Sequence, residues 1–124
     1  MRTLFFALLV LLTGTSASSM TAETQLRLFA NCAGRLTAEL EHAWLLDTGS
    51  ASMIENQRAQ VVDLLSAVIP PDRGWEVLNW RIDARAAQRA LLQRATFGKD
   101  THDAQWARDA AALYRNDCTG LLLS

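Results

Sequence analysis

Apolar residues recur every three to four positions in four stretches of this chain, separated by short runs of Gly, Pro, Ser and Asp. The longest stretch is 21–46, where Leu26, Phe29, Ala33, Leu36, Leu40, Ala43 and Trp44 share one helical face. Thr21 is expected to cap it, with Glu23 in the first turn, where a carboxylate suits the helix dipole. Gly34 costs about 1 kcal/mol relative to Ala inside a helix, so its presence predicts that a second backbone packs against it. Arg35 and Glu39 are four apart and are expected to pair on the polar side. Asp47-Thr48-Gly49-Ser50 supplies the turn that ends the helix.

The second stretch opens on Ser52-Met53-Ile54-Glu55, which has capping-box spacing, and runs to Ile69. Its β-branched residues suit a strand, yet Ile54, Val61, Val62, Leu65, Val68 and Ile69 keep helical spacing around Gln60 and Asp63. Pro70-Pro71 stops it. The third stretch follows Asp72-Arg73-Gly74 and reaches about Thr96, with Gly98 expected just past its end. It carries two apolar stripes. Val77, Trp80, Ala84, Ala87, Leu91 and Ala95 make a core face, whereas Trp75, Leu78 and Ile82 lie nearly opposite and run out into Arg85 and Arg89. The fourth is capped by Asp100 or Thr101, and Ala104, Ala107, Ala110, Ala111, Tyr114, Cys118 and Leu121 line one side. So many alanines on the third and fourth segments predict that those two helices approach closely.

Four helices with short connections predict an all-α fold, an antiparallel four-helix bundle. Cys32 is early in the first helix and Cys118 late in the last, so an up-down-up-down order brings both to one end. A disulfide between them is the expected staple, and closing so long a loop is worth about 4 kcal/mol in the chain-entropy model. Neither cysteine belongs to a C-x-x-C or C-x-x-C-H motif that would point to redox or haem chemistry.

The 124 residues fit one small domain, which is expected to span 20–124. Residues 1–19 read differently. Met1-Arg2-Thr3 is a positive start, 4–12 (LFFALLVLL) is an apolar core, and the small polar run 13–19 ends the pattern of a signal peptide cleaved after Ala17 or Ser19. Nine apolar residues are too few to span a bilayer, which takes ~20. An exported chain, periplasmic or extracellular, also agrees with a structural disulfide. The formal charge of −1, which becomes −2 when Arg2 is removed, argues against a nucleic-acid partner. Once the leader has gone, no membrane association is expected.

Catalytic signatures are missing from the pattern: no phosphate-binding glycine loop, G-x-S-x-G elbow or H-E-x-x-H occurs. No cofactor is expected. The surface that stands out is the second stripe of the third helix, Trp75, Leu78 and Ile82, beside the ridge Arg81, Arg85 and Arg89. Tryptophan, apolar side chains and arginine together are what protein interfaces favour, which points to a protein partner or a homodimer. The competing reading has Trp75 covering the 70–74 turn and the arginines pairing with Glu55, Asp63 or Asp83. Trp44 and Trp80 are placed in the core, and Trp106 partly outside it.

A second candidate is the end of the bundle that carries His42 and His102, suited to a small-ligand or metal carrier. With Cys32 level with Cys118, the two histidines are offset by six residues, ~9 Å along the axis, and neither has a ligand at metal-binding spacing. Tyr114-Arg115-Asn116-Asp117-Cys118 is similar to the Tyr-Arg-Asp…Cys helix ending of small exported lysozyme-inhibitor-type helical domains. The cysteine is shifted by one and that family's extra cysteines are missing. What the resemblance implies is an inhibitor or binding module rather than an enzyme.

Overall fold

The computed structural model describes residues 20–123, and the expected leader with its cleavage positions lies outside them. Four helices follow one another: α1 (Ala22–Leu46), α2 (Ala51–Val68), α3 (Gly74–Phe97) and α4 (Thr101–Gly120). No strand occurs among the described residues. None of the described helices is long and apolar enough to cross a membrane.

Local chemistry sets most of the boundaries. The Thr21 side chain accepts the Thr24 amide at the start of α1, and Asp47 ends that helix in the left-handed region at φ 50°. Asp100 accepts the amides of His102 and Asp103 and so opens α4. Two ends differ from the sequence reading. α2 starts before the expected Ser52 box, with Ser50 at the cap position making no side-chain capping bond. Gly98 closes α3 in an extended conformation (φ −65°, ψ 134°) and needs no left-handed turn.

Side-chain pairs fix the directions. Thr37 with Arg58 and Leu40 with Ile54 run α2 back along α1. Glu23 with Arg73 and Glu41 with Arg89 make α3 parallel to α1. Arg94 with Asp103 and Gln88 with the Ala111 carbonyl reverse α4 against α3. Chain direction therefore alternates, as expected. The packing is not a square, however. α1 is the hub and touches all three other helices, while α4 lies mainly on α3. The cause is Gly34, where a Cβ would run into the Arg81 carbonyl, so α1 and α3 meet backbone to backbone. This contact replaces the expected closest approach between α3 and α4.

The Cys32–Cys118 disulfide joins the first helix to the last, with the two Cα atoms 5.3 Å apart. Around it gather Leu26, Phe29, Leu36, Val61, Leu65 and Val77, all buried, with Trp80 and Leu122 packed against them. Each such fully buried aliphatic side chain contributes about 2 kcal/mol of transfer free energy. Further along, the core thins to Ala38, Ala107 and Ala111 with Leu91 and Leu92. Trp44, placed in the core by its spacing, is 58% exposed, and the neighbouring Ala43 takes the buried position beside Ile54.

Candidate functional site

The second stripe of α3 does lie open. Trp75 is 82% exposed and Ile82 52%, with Leu78 beside them at 40%. Trp75 therefore does not cover the turn before it. The stripe arises because α3 turns Val77, Ala84, Gln88 and Leu91 inward, which leaves the residues on the far flank with nothing to meet.

The arginine ridge divides between two environments. Arg85 and Arg89 both reach the carboxylate of Glu41 on α1, the latter at 2.8 Å. The partners considered from sequence, Glu55, Asp63 and Asp83, are not used. Burial pushes the Glu41 carboxyl upward, but the hydrogen bonds from Arg89 and Arg85 outweigh it and leave it below its ordinary value. Arg81 lies deeper, where burial and the nearby charge of Arg58 both lower its pKa. Arg58 comes from α2 and donates its Nε–H to Thr37 Oγ1 at 2.8 Å. Sequence reasoning had left Arg58 out, because nothing in one helix's pattern says which side chain of another will face it.

Between α1 and α3 lies a polar network that the pattern also hid. Gln88 is fully buried and takes the Arg35 guanidinium on Oε1 at 2.8 Å. Its Nε2 donates to Glu39 Oε1 at 2.8 Å and to the Ala111 carbonyl at 3.1 Å. Arg35 and Glu39 thus do not pair with each other as expected; both turn inward to Gln88. The Arg35 guanidinium stacks 3.7 Å from the Tyr114 ring centre, and its pKa is lowered by burial. Gln88 sits four residues after Ala84 and three before Leu91, on the core stripe. A polar residue there was a readable signal.

Beside this network, α2 and α4 stand apart and leave a groove of about 550 Å³. Its lining mixes Met53, Ile54 and Leu92 with His42, Arg108 and Arg115. The small Ala43, Ala111 and Ala112 leave the space unfilled. His42 faces this groove, with Nε2 3.1 Å from Thr96 Oγ1, whereas His102 is exposed at the start of α4 and does not line it. The two histidines are therefore not brought together in one lining. No group of three or more His, Cys, Asp or Glu side chains placed to hold a metal occurs among the described residues. Trp106 is 58% exposed, in line with its place on the helix wheel, and lies 5.1 Å from the Arg94 guanidinium. Comparison with family models, curated proteins and solved structures found no match to this chain.

Proposed function

We propose that this chain is a small exported interaction module without catalytic activity, which binds a protein partner or a second copy of itself through α3. The observation that carries the reading is Trp75, at 82% exposure, on the same flank as Leu78 and Ile82. A contiguous apolar stripe in water is unfavourable by about 25 cal/mol per Å², and an interface removes that penalty. Arg81, Arg85 and Arg89 border the stripe and supply the polar rim that such interfaces use. Export rests on the leader-like pattern of residues 1–19, and a disulfide is at home in an oxidising compartment such as the periplasm.

A photo-reactive amino acid at position 82, irradiated in the cell envelope, tests this directly. The expected result is a discrete adduct, with a protein or with a second copy, that disappears when Trp75→Ala is added. Adducts from position 106 but none from position 82 would move the interface elsewhere and end this reading.

The second reading is a periplasmic carrier of a small ligand or metal at the His42 end. The groove of about 550 Å³ between α2 and α4 favours a small ligand over a metal, since it holds His42 without His102. Zinc titration of the purified chain separates the two cases. Stoichiometric binding lost in His42→Ala would replace the interaction module with a metal carrier.

A further inference from the structure

The groove between α2 and α4 is lined by two opposite charges that do not complete each other. Glu39, contributed by α1, is 5% exposed and lines the groove. Its Oε1 accepts Gln88 Nε2 at 2.8 Å. Its Oε2 accepts no hydrogen bond among the described residues; it faces Arg115 Nη1 at 3.7 Å, beyond hydrogen-bonding distance. Arg115 stands on the α4 wall with its side chain 40% exposed, and it makes no hydrogen bond among the described residues. Arg108, on the same wall, is held elsewhere: it donates to the Ala95 carbonyl and to Gln105 Oε1. A carboxylate and a guanidinium normally close on each other as a hydrogen-bonded pair. Here each keeps hydrogen-bonding capacity within one groove.

The lining says which ligand suits them. At about 550 Å³ the groove falls within the roughly 300–1,000 Å³ of small-molecule sites. Ala43, Ile54, Leu92 and Ala111 give it apolar walls around the two charges. Glu39 is the one carboxylate in that lining among the described residues, against the guanidinium groups of Arg108 and Arg115. A ligand that is only a cation would meet more positive than negative charge. One that is only an anion would set a second negative charge beside the buried Glu39. A zwitterion satisfies both groups. Because Oε2 and Nη1 are only 3.7 Å apart, its two charges must be close neighbours. They share one carbon in a free α-amino acid, whereas a peptide carries them on different residues.

We propose that this groove binds a free α-amino acid with an apolar side chain, its ammonium on Glu39 Oε2 and its carboxylate on the Arg115 guanidinium. The side chain lies against Ala43, Ile54 and Leu92. The proposal rests on the reading of the groove as a small-ligand site and names the class of ligand. It is independent of the α3 surface.

Titration of L-leucine into the ¹⁵N-labelled, disulfide-bonded chain tests it, with the backbone amides of Ala43 and Ala112 reporting from the groove. The expected result is saturable movement of these resonances. Binding is expected to weaken at least tenfold for leucinamide, which lacks the carboxylate, for N-acetylleucine, which lacks the ammonium, and for glycine, which lacks the apolar side chain. Arg115→Gln is expected to bind leucine no better than leucinamide, and Glu39→Gln no better than N-acetylleucine, while Trp75→Ala binds as the parent does. Arg115 makes no hydrogen bond, so its replacement leaves the fold intact, and Glu39→Gln keeps an oxygen for Gln88. If Glu39→Gln fails to fold, the Arg115→Gln comparison decides. Leucinamide or N-acetylleucine bound as tightly as leucine at the same amides overturns the amino-acid assignment and leaves the groove a ligand site. If none of the four compounds moves these amides, the assignment and the ligand reading of the groove both fall.

Discussion

The main chain of Arg81 lies directly against Gly34, with no side chain between α1 and α3 at that point. A methyl group there would meet the Arg81 carbonyl and the Arg85 amide, which are backbone atoms within a helix and move only with it. Gly→Ala inside a helix normally gains about 1 kcal/mol. Here overpacking, at about 1–3 kcal/mol, reverses the sign. Gly34→Ala is expected to lower the urea midpoint by the equivalent of up to about 2 kcal/mol net, and a rise instead would mean that the two helices are not in backbone contact.

The staple between Cys32 and Cys118 closes a loop of 86 residues. Loop-closure entropy puts its removal at about 4–5 kcal/mol. Reduction with dithiothreitol, or the double replacement Cys32→Ser with Cys118→Ser, is expected to lower the melting temperature steeply. Equal melting curves with and without reductant would contradict the linkage.

Gln88 predicts a cost that its polarity alone does not. Replacing it by Leu keeps the volume but strips the donor from Glu39, which is 5% exposed, and the acceptor from Arg35. Leaving buried polar groups unmet costs about 1–3 kcal/mol, so Gln88→Leu is expected to destabilise by about that amount in chemical denaturation. A neutral or stabilising result would show that water satisfies the network.

Trp75 and Trp80 are five residues apart on α3, about 1.4 turns, so they fall on different faces and are expected to behave oppositely. Trp80 lies under the Arg27 guanidinium, 4.3 Å from the ring centre, and packs on the disulfide core. Trp80→Ala is therefore expected to cost about 2–3 kcal/mol, less than for a fully buried ring. Trp75→Ala, at an exposed position, is expected to stay within about 0.5 kcal/mol of the parent. Thermal melts of the two variants check this.

Acid reaches the molecule through Glu41. Its folded pKa lies below the ordinary value of 4.5, despite burial that pushes it up, because Arg89 and Arg85 hydrogen-bond to the ionised form. The group therefore contributes stability that is present above pH 4.5 and lost as the pH falls through its folded value. Glu41→Gln is expected to melt lower than the parent at pH 7, and the gap is expected to narrow in more acid buffer. An unchanging gap would place the effect outside the ion pair.

The spacing of apolar residues specified four helices, and turn chemistry at Thr21, Asp47 and Asp100 set several ends within a residue. Both are local: a helix face needs only its own sequence, and a cap needs only the next three amides. The open stripe at Trp75 was legible for the same reason, since a helix with two apolar faces can bury only one against a small core. Trp44 misled, because spacing along one helix does not say which flank its neighbours cover, and at that level they cover Ala43. Arg35 and Glu39 misled differently: an exposed pair is worth only ~0.3 kcal/mol, and a buried glutamine on another helix offers each more.

By itself the sequence determined the helices, their alternating direction and the pairing of its two cysteines, because spacing, caps and topology act over a few residues or constrain the whole chain at once. Tertiary structure alone decided that α1 touches three helices, that Gln88 joins Arg35 to Glu39, and that Arg58 reaches Thr37. Those relationships join residues distant in sequence, and the rotation and approach of each helix, set by side-chain volumes across the interface, decide which of them meet.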